Sequence, residues 1–416
     1  MEVLLFSIYL LLFSWAITQT RFFRSSGLSQ FQLVLLFLIK VAVALLYGWI
    51  FWRQGGGDTW RLYQESLKET RVLMTNPIRF VTSFFYDPYG NGFSGFFASR
   101  TSYWNNLKDN TFIRIEALFN CFSFGNYFIN ALFYSYLTFF GVAGIYKVMR
   151  QHLKDTTPLL IAACFLVPSF LYWTSGLHKD GLTYLTLAAI IYILYFRLLY
   201  KRPFTAGLIL TAAFVLLFAL RNHVLMLLLP ALFCWLWANK APRHRIKIFV
   251  FVYSVALFCF FTLKYIHPAL DLPSIVLSKQ EAFMNLKDGG SEIAVKKLEP
   301  TGAGFIRLLP QAAGISFFRP LISDLKKPII IPAFIEVLLI WLCLLLYLVF
   351  PKQKRRYAPF SLFLLAFCIS MLLMIGYTVN NVGAVVRYRA LLFPLITAPV
   401  LTGIDWKKIR QKINIK

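Results

Sequence analysis

Acid is scarce in this sequence: 17 Asp and Glu stand against 43 Lys and Arg, and the four types together make up only 14% of the chain. A soluble globular chain carries roughly 25% charged residues, so water does not solvate most of this surface. Cysteine is sparse as well, at six residues. Cys164, Cys234, Cys259, Cys343 and Cys368 lie inside apolar runs and Cys121 borders one. No spacing among them matches a metal site or a disulfide framework, and they read as small space-filling residues. No internal repeat and no low-complexity tract is present, which argues against a solenoid or a repeat-built carrier. Segment 2–18 has neither a basic stretch before it nor a small-residue cleavage site after it, so it reads as a retained helix.

What the chain does have is hydrocarbon: 59% of its residues are hydrophobic and 18% are aromatic. Runs such as 31–52 and 329–350 are long enough to cross about 30 Å of bilayer core as helices. The expected fold is all-α, a polytopic transmembrane helical bundle forming one domain over 1–416. Spans are expected near 2–18, 31–52, 126–147, 157–174, 181–199, 204–220, 224–239, 246–265, 328–350, 358–378 and 388–404, about eleven in all. Tight hairpins are expected at His178 and at Arg221.

The net charge of +26 invites a nucleic-acid partner, but its distribution argues for membrane lipids and no nucleic acid. The basic residues cluster between apolar runs: Arg21/Arg24, Lys147/Arg150/Lys154, Lys201/Arg202, 243–247, 352–356 and 407–416. That is the positive-inside pattern of cytoplasmic anchors. An outside N-terminus and a cytoplasmic C-terminus place every cluster inside.

Two long segments then fall outside, 53–125 and 266–327. The first carries Gly-Pro punctuation, as in Tyr86-Asp87-Pro88-Tyr89-Gly90-Asn91-Gly92. Its stretches 58–73 and 112–124, and stretch 302–318 of the second, are amphipathic and suit helices lying along the interface. Segment 279–300 is polar and charged, and is expected to be a mobile surface excursion.

Four polar clusters interrupt apolar helix ends, all expected on the outer side. They are Gly55-Gly56-Gly57-Asp58, Ser175-Gly176-Leu177-His178-Lys179-Asp180, Arg221-Asn222-His223, and Asn380-Asn381 with Arg387-Tyr388-Arg389. Convergence on one face is what a shared site would require. Three glycines let the backbone turn sharply and leave the Asp58 carboxylate uncrowded, where partial desolvation suits it to act as a base. The plainer reading is a helix cap. Arg387 and Arg389 can bind phosphate bidentately, or else snorkel to headgroups. In the His178 hairpin, Lys179 can meet a phosphate while His178 or Asp180 handles a proton; a capped turn is the alternative. Arg221 and His223 suit phosphate or sugar contact, or a polar turn. Lys40 and Glu336, inside spans, are expected to pair with each other or to snorkel.

An aspartate just after an early outward-going span, followed by interfacial helices in a long first outer loop, resembles the GT-C superfamily of membrane glycosyltransferases. The stretch from Pro168-Ser169-Phe170 to His178-Lys179-Asp180-Gly181 is similar to one found in bacterial envelope proteins of this kind, as are Phe317-Phe318-Arg319-Pro320 and Arg387-Tyr388-Arg389. The resemblance implies a polyprenyl-phosphate- or polyprenyl-diphosphate-linked sugar donor, a glycan or lipid-linked acceptor, and a bacterial inner (plasma) membrane location. By it, Asp58 is the general base, and Arg319, Arg387 and Arg389 join Lys179, Arg221 and His223 in binding substrate. In the family the aspartate follows the first span, often with a second acidic residue beside it. Here it follows the second, between Gly57 and Thr59, so a divalent metal is possible but not required. An O-antigen-type polymerase or ligase, relying on outer-face arginines and histidines such as Arg221, His223 and His178, is the nearest alternative. A transporter or flippase of a lipid-linked glycan is the second.

Overall fold

The computed structural model describes residues 2–84, 103–199, 204–286, 291–325, 328–352 and 358–414. Segment 86–92 and the basic residues Lys201, Arg202, Lys354, Arg355, Arg356 and Lys416 lie outside the described residues. The described chain is helical without strands, and two isolated bridges, Glu292 to Asn381 and Pro351 to Ile404, are its β pairing. Eight of its helices are long and apolar enough to cross a membrane, or ten if each of two bent pairs is one span. Several such helices mark an integral membrane protein.

The two spans expected on either side of Arg221 lie within Phe204–Lys240 and meet at a kink at Arg221, which leaves helical geometry (φ −152°, ψ 74°). The spans expected at 157–174 and 388–404 are bent pairs, Pro158–Phe165 with Pro168–Ser175 (47°) and Val382–Ala390 with Phe393–Gly403 (67°).

The chain divides into two compact units. The first comprises Met1–Phe96, Arg100–Thr156 and Phe170–Asn222. A capping box at Ser29, whose hydroxyl accepts from Gln32 N while Gln32 Oε1 accepts from Ser29 N, starts the span Gln30–Arg53. Asn126 caps Tyr127–Leu153 in the same spirit, accepting from Phe128 N and Ile129 N. Tyr127–Leu153 and Lys179–Leu199 are the most enclosed spans, and Gly141 lets them meet: a Cβ there would stand 2.8 Å from Leu185 Cα. The first-loop helices Gly57–Thr75 and Tyr103–Ser123 pack on each other. Leu62, Tyr63 and Phe112 join Tyr127, Tyr134 and Leu177 in one apolar cluster. Below it runs an amide ladder, in which Asn130 donates to Asn120 (2.6 Å) and Asn120 donates to Ser66 (2.9 Å) and Thr70 (3.0 Å). The amphipathic pattern is thereby explained. One face of each helix is core, and its polar interruptions are satisfied by neighbours.

The second unit comprises Phe97–Ser99, Thr157–Ser169 and His223–Lys416. Helix Gly302–Ala313 packs against span Pro359–Thr378, and only glycine fits at 376, because a Cβ there would collide with the Ala312 carbonyl. Of segment 279–300, expected to be a mobile excursion, 287–290 lie outside the described residues; helix Leu272–Met284 covers its start, and 291–300 is anchored by Ile293 N to Asn380 O (2.6 Å) and Val382 N to Ser291 O (2.9 Å). Ile293 and Leu298 are buried, and Gln280 bonds both Lys296 O and Leu298 N.

Candidate functional site

The turn that carries Asp58 uses three successive glycines with positive φ, at 88°, 100° and 58° for Gly55, Gly56 and Gly57. The chain leaves span Gln30–Arg53, reverses and enters helix Gly57–Thr75 within these residues. The N-cap is Gly56, so Asp58 is not the cap residue; it lies in the first helical turn, where the helix dipole favours an anion. Its side chain is 62% exposed and stands 3.7 Å from Arg61 Nη2. The desolvated environment expected for it is absent within the protein.

The His178 turn contrasts with this exposure. Gly176 lies against the Tyr47 ring, and at Gly181 a Cβ would meet the Tyr134 hydroxyl and the Thr174 carbonyl. The Tyr134 hydroxyl donates to His178 O and accepts from Leu182 N (3.0 Å), locking the turn onto span Tyr127–Leu153. His178 and Asp180 are buried. His178 Nδ1 is 3.4 Å from Asp180 Oδ2, and Arg221 Nη2 donates to Asp180 Oδ1 at 2.8 Å. The break at Arg221 leaves the helical path at the residue whose guanidinium makes this bond.

Lys179 faces a different partner. Its Nζ donates to Asp109 Oδ1 at 2.5 Å, and Arg61 Nη2 donates to Asp109 Oδ2 at 3.1 Å. Burial pushes the Asp109 carboxyl up, but Lys179 first, then Lys108 and Arg61, more than reverse this and hold it below the usual carboxylate range. Asp58, Arg61, Asp109 and Lys179 thus form one ionic chain across the glycine turn, the Tyr103–Ser123 helix and the start of span Lys179–Leu199. Through the backbone it abuts the His178–Asp180–Arg221 group.

Arg61 and Asp109 were not singled out from the sequence, where they are ordinary charges on amphipathic helices. Asp58 and Arg61 at i, i+3 give a faint local signal, whereas Asp109 meets Lys179 from 70 residues away. Glu116 was missed too. It is buried on the Tyr103–Ser123 helix, and burial pushes its carboxyl well above the usual range, partly offset by the Asn130 amide. On the same helix Arg114 donates to Asn110 (2.9 Å) and Ser83 (2.8 Å) and covers the Phe80 and Phe84 rings.

In the second unit, Arg387 and Arg389 do not act as a pair. They sit on helix Val382–Ala390, where residues two apart face different ways. Arg387 is half-buried beside the Tyr388 ring, with its guanidinium 5.9 Å from the ring centre. Arg389 is 3% exposed, donates to Ser316 O at 2.8 Å and lies over Phe393. Glu336 attracts it electrostatically, but Glu336 itself accepts from Ser169 N and Ser169 Oγ, both at 2.6 Å. The expected Lys40–Glu336 pair is replaced by bonds inside each unit: Lys40 donates to Thr174 O (2.9 Å) and Ser175 Oγ (3.3 Å) in the first. Glu336 also lines a cavity of about 580 Å³ walled by Leu166, Pro168, Ile335, Leu339 and Val400. Arg319 pairs with Asp324 at 2.5 Å, and Asn381 caps its own helix through Ala384 N. His223 is half-buried within the long run.

Of the expected site residues, Asp58, His178, Lys179, Asp180 and Arg221 belong to the first unit, and His223, Arg319, Arg387 and Arg389 to the second. Among the described residues no group of three or more His, Cys, Asp or Glu is placed to hold a metal ion. No protein-family model matches the chain, and neither curated proteins nor solved structures give a match.

Proposed function

We propose that the protein is a membrane glycosyltransferase that takes a sugar from a polyprenyl-(di)phosphate-linked donor to an acceptor hydroxyl. The reaction takes place at the outer face of a bacterial-type inner membrane, where no nucleotide sugar is at hand. The outer face rests on the basic clusters, which face the cytoplasm when the N-terminus is outside. The observation that carries the reading is the ionic chain from exposed Asp58 through Arg61 and Asp109 to Lys179. It sets a carboxylate with room for an acceptor beside cations suited to a departing phosphate.

In the proposed step the Asp58 carboxylate takes the acceptor's hydroxyl proton. The acceptor oxygen attacks the anomeric carbon, and the bond to the phosphate oxygen breaks, leaving its electron pair on the phosphate. Lys179 and Arg61 stabilise that charge. A second reading is favoured by one observation: the buried His178–Asp180 contact, with Arg221 on the same carboxylate, is the arrangement of an oriented histidine base. It would suit a polymerase or ligase acting on lipid-linked glycans.

The test is transfer by the purified protein in nanodiscs, with a synthetic polyprenyl-phosphate sugar and product read by mass spectrometry. Asp58→Asn is expected to remove turnover while donor binding stays, because the amide keeps the shape but cannot take the proton. Full activity in Asp58→Asn together with loss in His178→Gln would move the chemistry to the histidine.

A further inference from the structure

The Lys179–Asp109–Arg61 contact has the form of an anion site filled by the protein's own carboxylate. Asp109 presents one oxygen to an ammonium at 2.5 Å and the other to a guanidinium at 3.1 Å. That is how two oxygens of a phosphate would be held. Lys108 adds a third cation acting on the same carboxylate. Positive charge is concentrated further because Lys179 opens the helix Lys179–Leu199, an end where the dipole disfavours a cation. The Lys179 side chain is 10% exposed and that of Asp109 is 26% exposed, so the contact is partly withdrawn from water but open on one side. A structural ion pair needs only one partner of each sign. Here two cations meet one carboxylate, carried by a helix of the long first loop, and Lys108 adds its charge to the same group.

We infer that Lys179 and Arg61 bind a phosphate group and that Asp109 is a displaceable stand-in, leaving the two cations when a phosphate enters. The ligand chemistry is a phosphate monoester or diphosphate. Its identification with the lipid-linked donor rests on the reading above, whereas the site itself does not. Displacement would uncouple the start of the Tyr103–Ser123 helix from the turn, so that binding is reported to the first loop.

The experiment uses the full chain in nanodiscs of zwitterionic lipid, with inorganic phosphate and undecaprenyl phosphate as separate probes. Asp109→Asn, which keeps the shape but removes the competing charge, is expected to tighten binding of at least one probe about tenfold. Lys179→Gln added to it is expected to abolish the gain. Unchanged or weaker binding of both probes, a gain that survives Lys179→Gln, or no binding by any variant overturns the proposal. A gain for inorganic phosphate alone supports the site and counts against the lipid-linked donor. Undecaprenyl phosphate bound equally by wild type and Asp109→Asn, with no gain for inorganic phosphate either, overturns the stand-in and leaves the donor reading intact. Should Asp109→Asn not fold, hydrogen exchange on the wild type decides: saturating probe is expected to lower protection over 106–112, and unchanged protection overturns the displacement.

Discussion

The protein holds its enclosed cations in two different ways. Lys179 meets Asp109 and Arg221 meets Asp180, while buried Lys40 beside the same turn rests on Thr174 O and Ser175 Oγ. In the second unit Arg389 rests on a backbone carbonyl and an aromatic ring, while its carboxylate neighbour Glu336 is bonded to Ser169. A carboxylate partner can be traded for a ligand phosphate at little loss of charge balance. A carbonyl and a ring instead hold a guanidinium in place for structure. The comparison gives Lys179 and Arg221 exchangeable partners and makes Lys40 and Arg389 fixed anchors.

The largest effect expected is from Asp180→Ala, which leaves half-buried Arg221 and the His178 Nδ1 without their carboxylate. Breaking one side of a buried pair costs about 3–5 kcal/mol, so apparent Tm and extracted yield should both fall sharply. Adding Arg221→Gln should return part of the loss. No recovery would mean that the two do not form an energetic pair.

Glu336→Ala comes next, at roughly 2–3 kcal/mol for the unmet Ser169 donors, with Ser316 and Phe393 still holding Arg389. A loss greater than that of Asp180→Ala, measured in the same thermal assay, would break the comparison by making Glu336 the stronger charge partner.

Glu116 gives a pH test. Its folded-state carboxyl is raised above the ordinary value of about 4.3, so the folded protein holds the proton longer than the unfolded chain does. That contribution is fully present below the unfolded value and is lost as pH rises through the folded one. Glu116→Gln should therefore match wild type in acid and exceed it increasingly at alkaline pH. A constant difference in Tm across pH would show that Glu116 is ionised in the fold.

The smallest effect on stability is expected at Asp58. Its ion pair with Arg61 is exposed on both sides, and such substitutions change stability by no more than about 0.5 kcal/mol. Asp58→Asn should therefore leave Tm unchanged while it changes turnover. A drop comparable to that of Asp180→Ala would make Asp58 part of the scaffold.

Membrane spans, the glycine turn and the amphipathic first-loop helices were legible in the sequence because each is written in neighbouring residues. A run of apolar side chains long enough for the bilayer, three glycines in a row, and a repeat near 3.6 are local properties. So was the suspicion attached to His178, Lys179 and Asp180, since three ionisable groups between apolar runs are costly unless partnered. The break at Arg221 was legible too, because three polar residues interrupt an apolar run there, but its geometry was not.

Tertiary structure alone decided which partner each charge took. Lys40 turned to Thr174 and Ser175, and Glu336 turned to Ser169. Asp109 and Lys179 meet across 70 residues, and Asp180 and Arg221 across 41. Every candidate carboxylate and cation attracts every other, so sequence supplies the set without the matching. The matching follows from helix contacts such as that of Gly141 with Leu185 and the Tyr134 lock on the His178 turn. These bring a few side chains within hydrogen-bond reach, where Coulomb energy in a poorly hydrated interior is large, and leave the rest too far apart for it to matter.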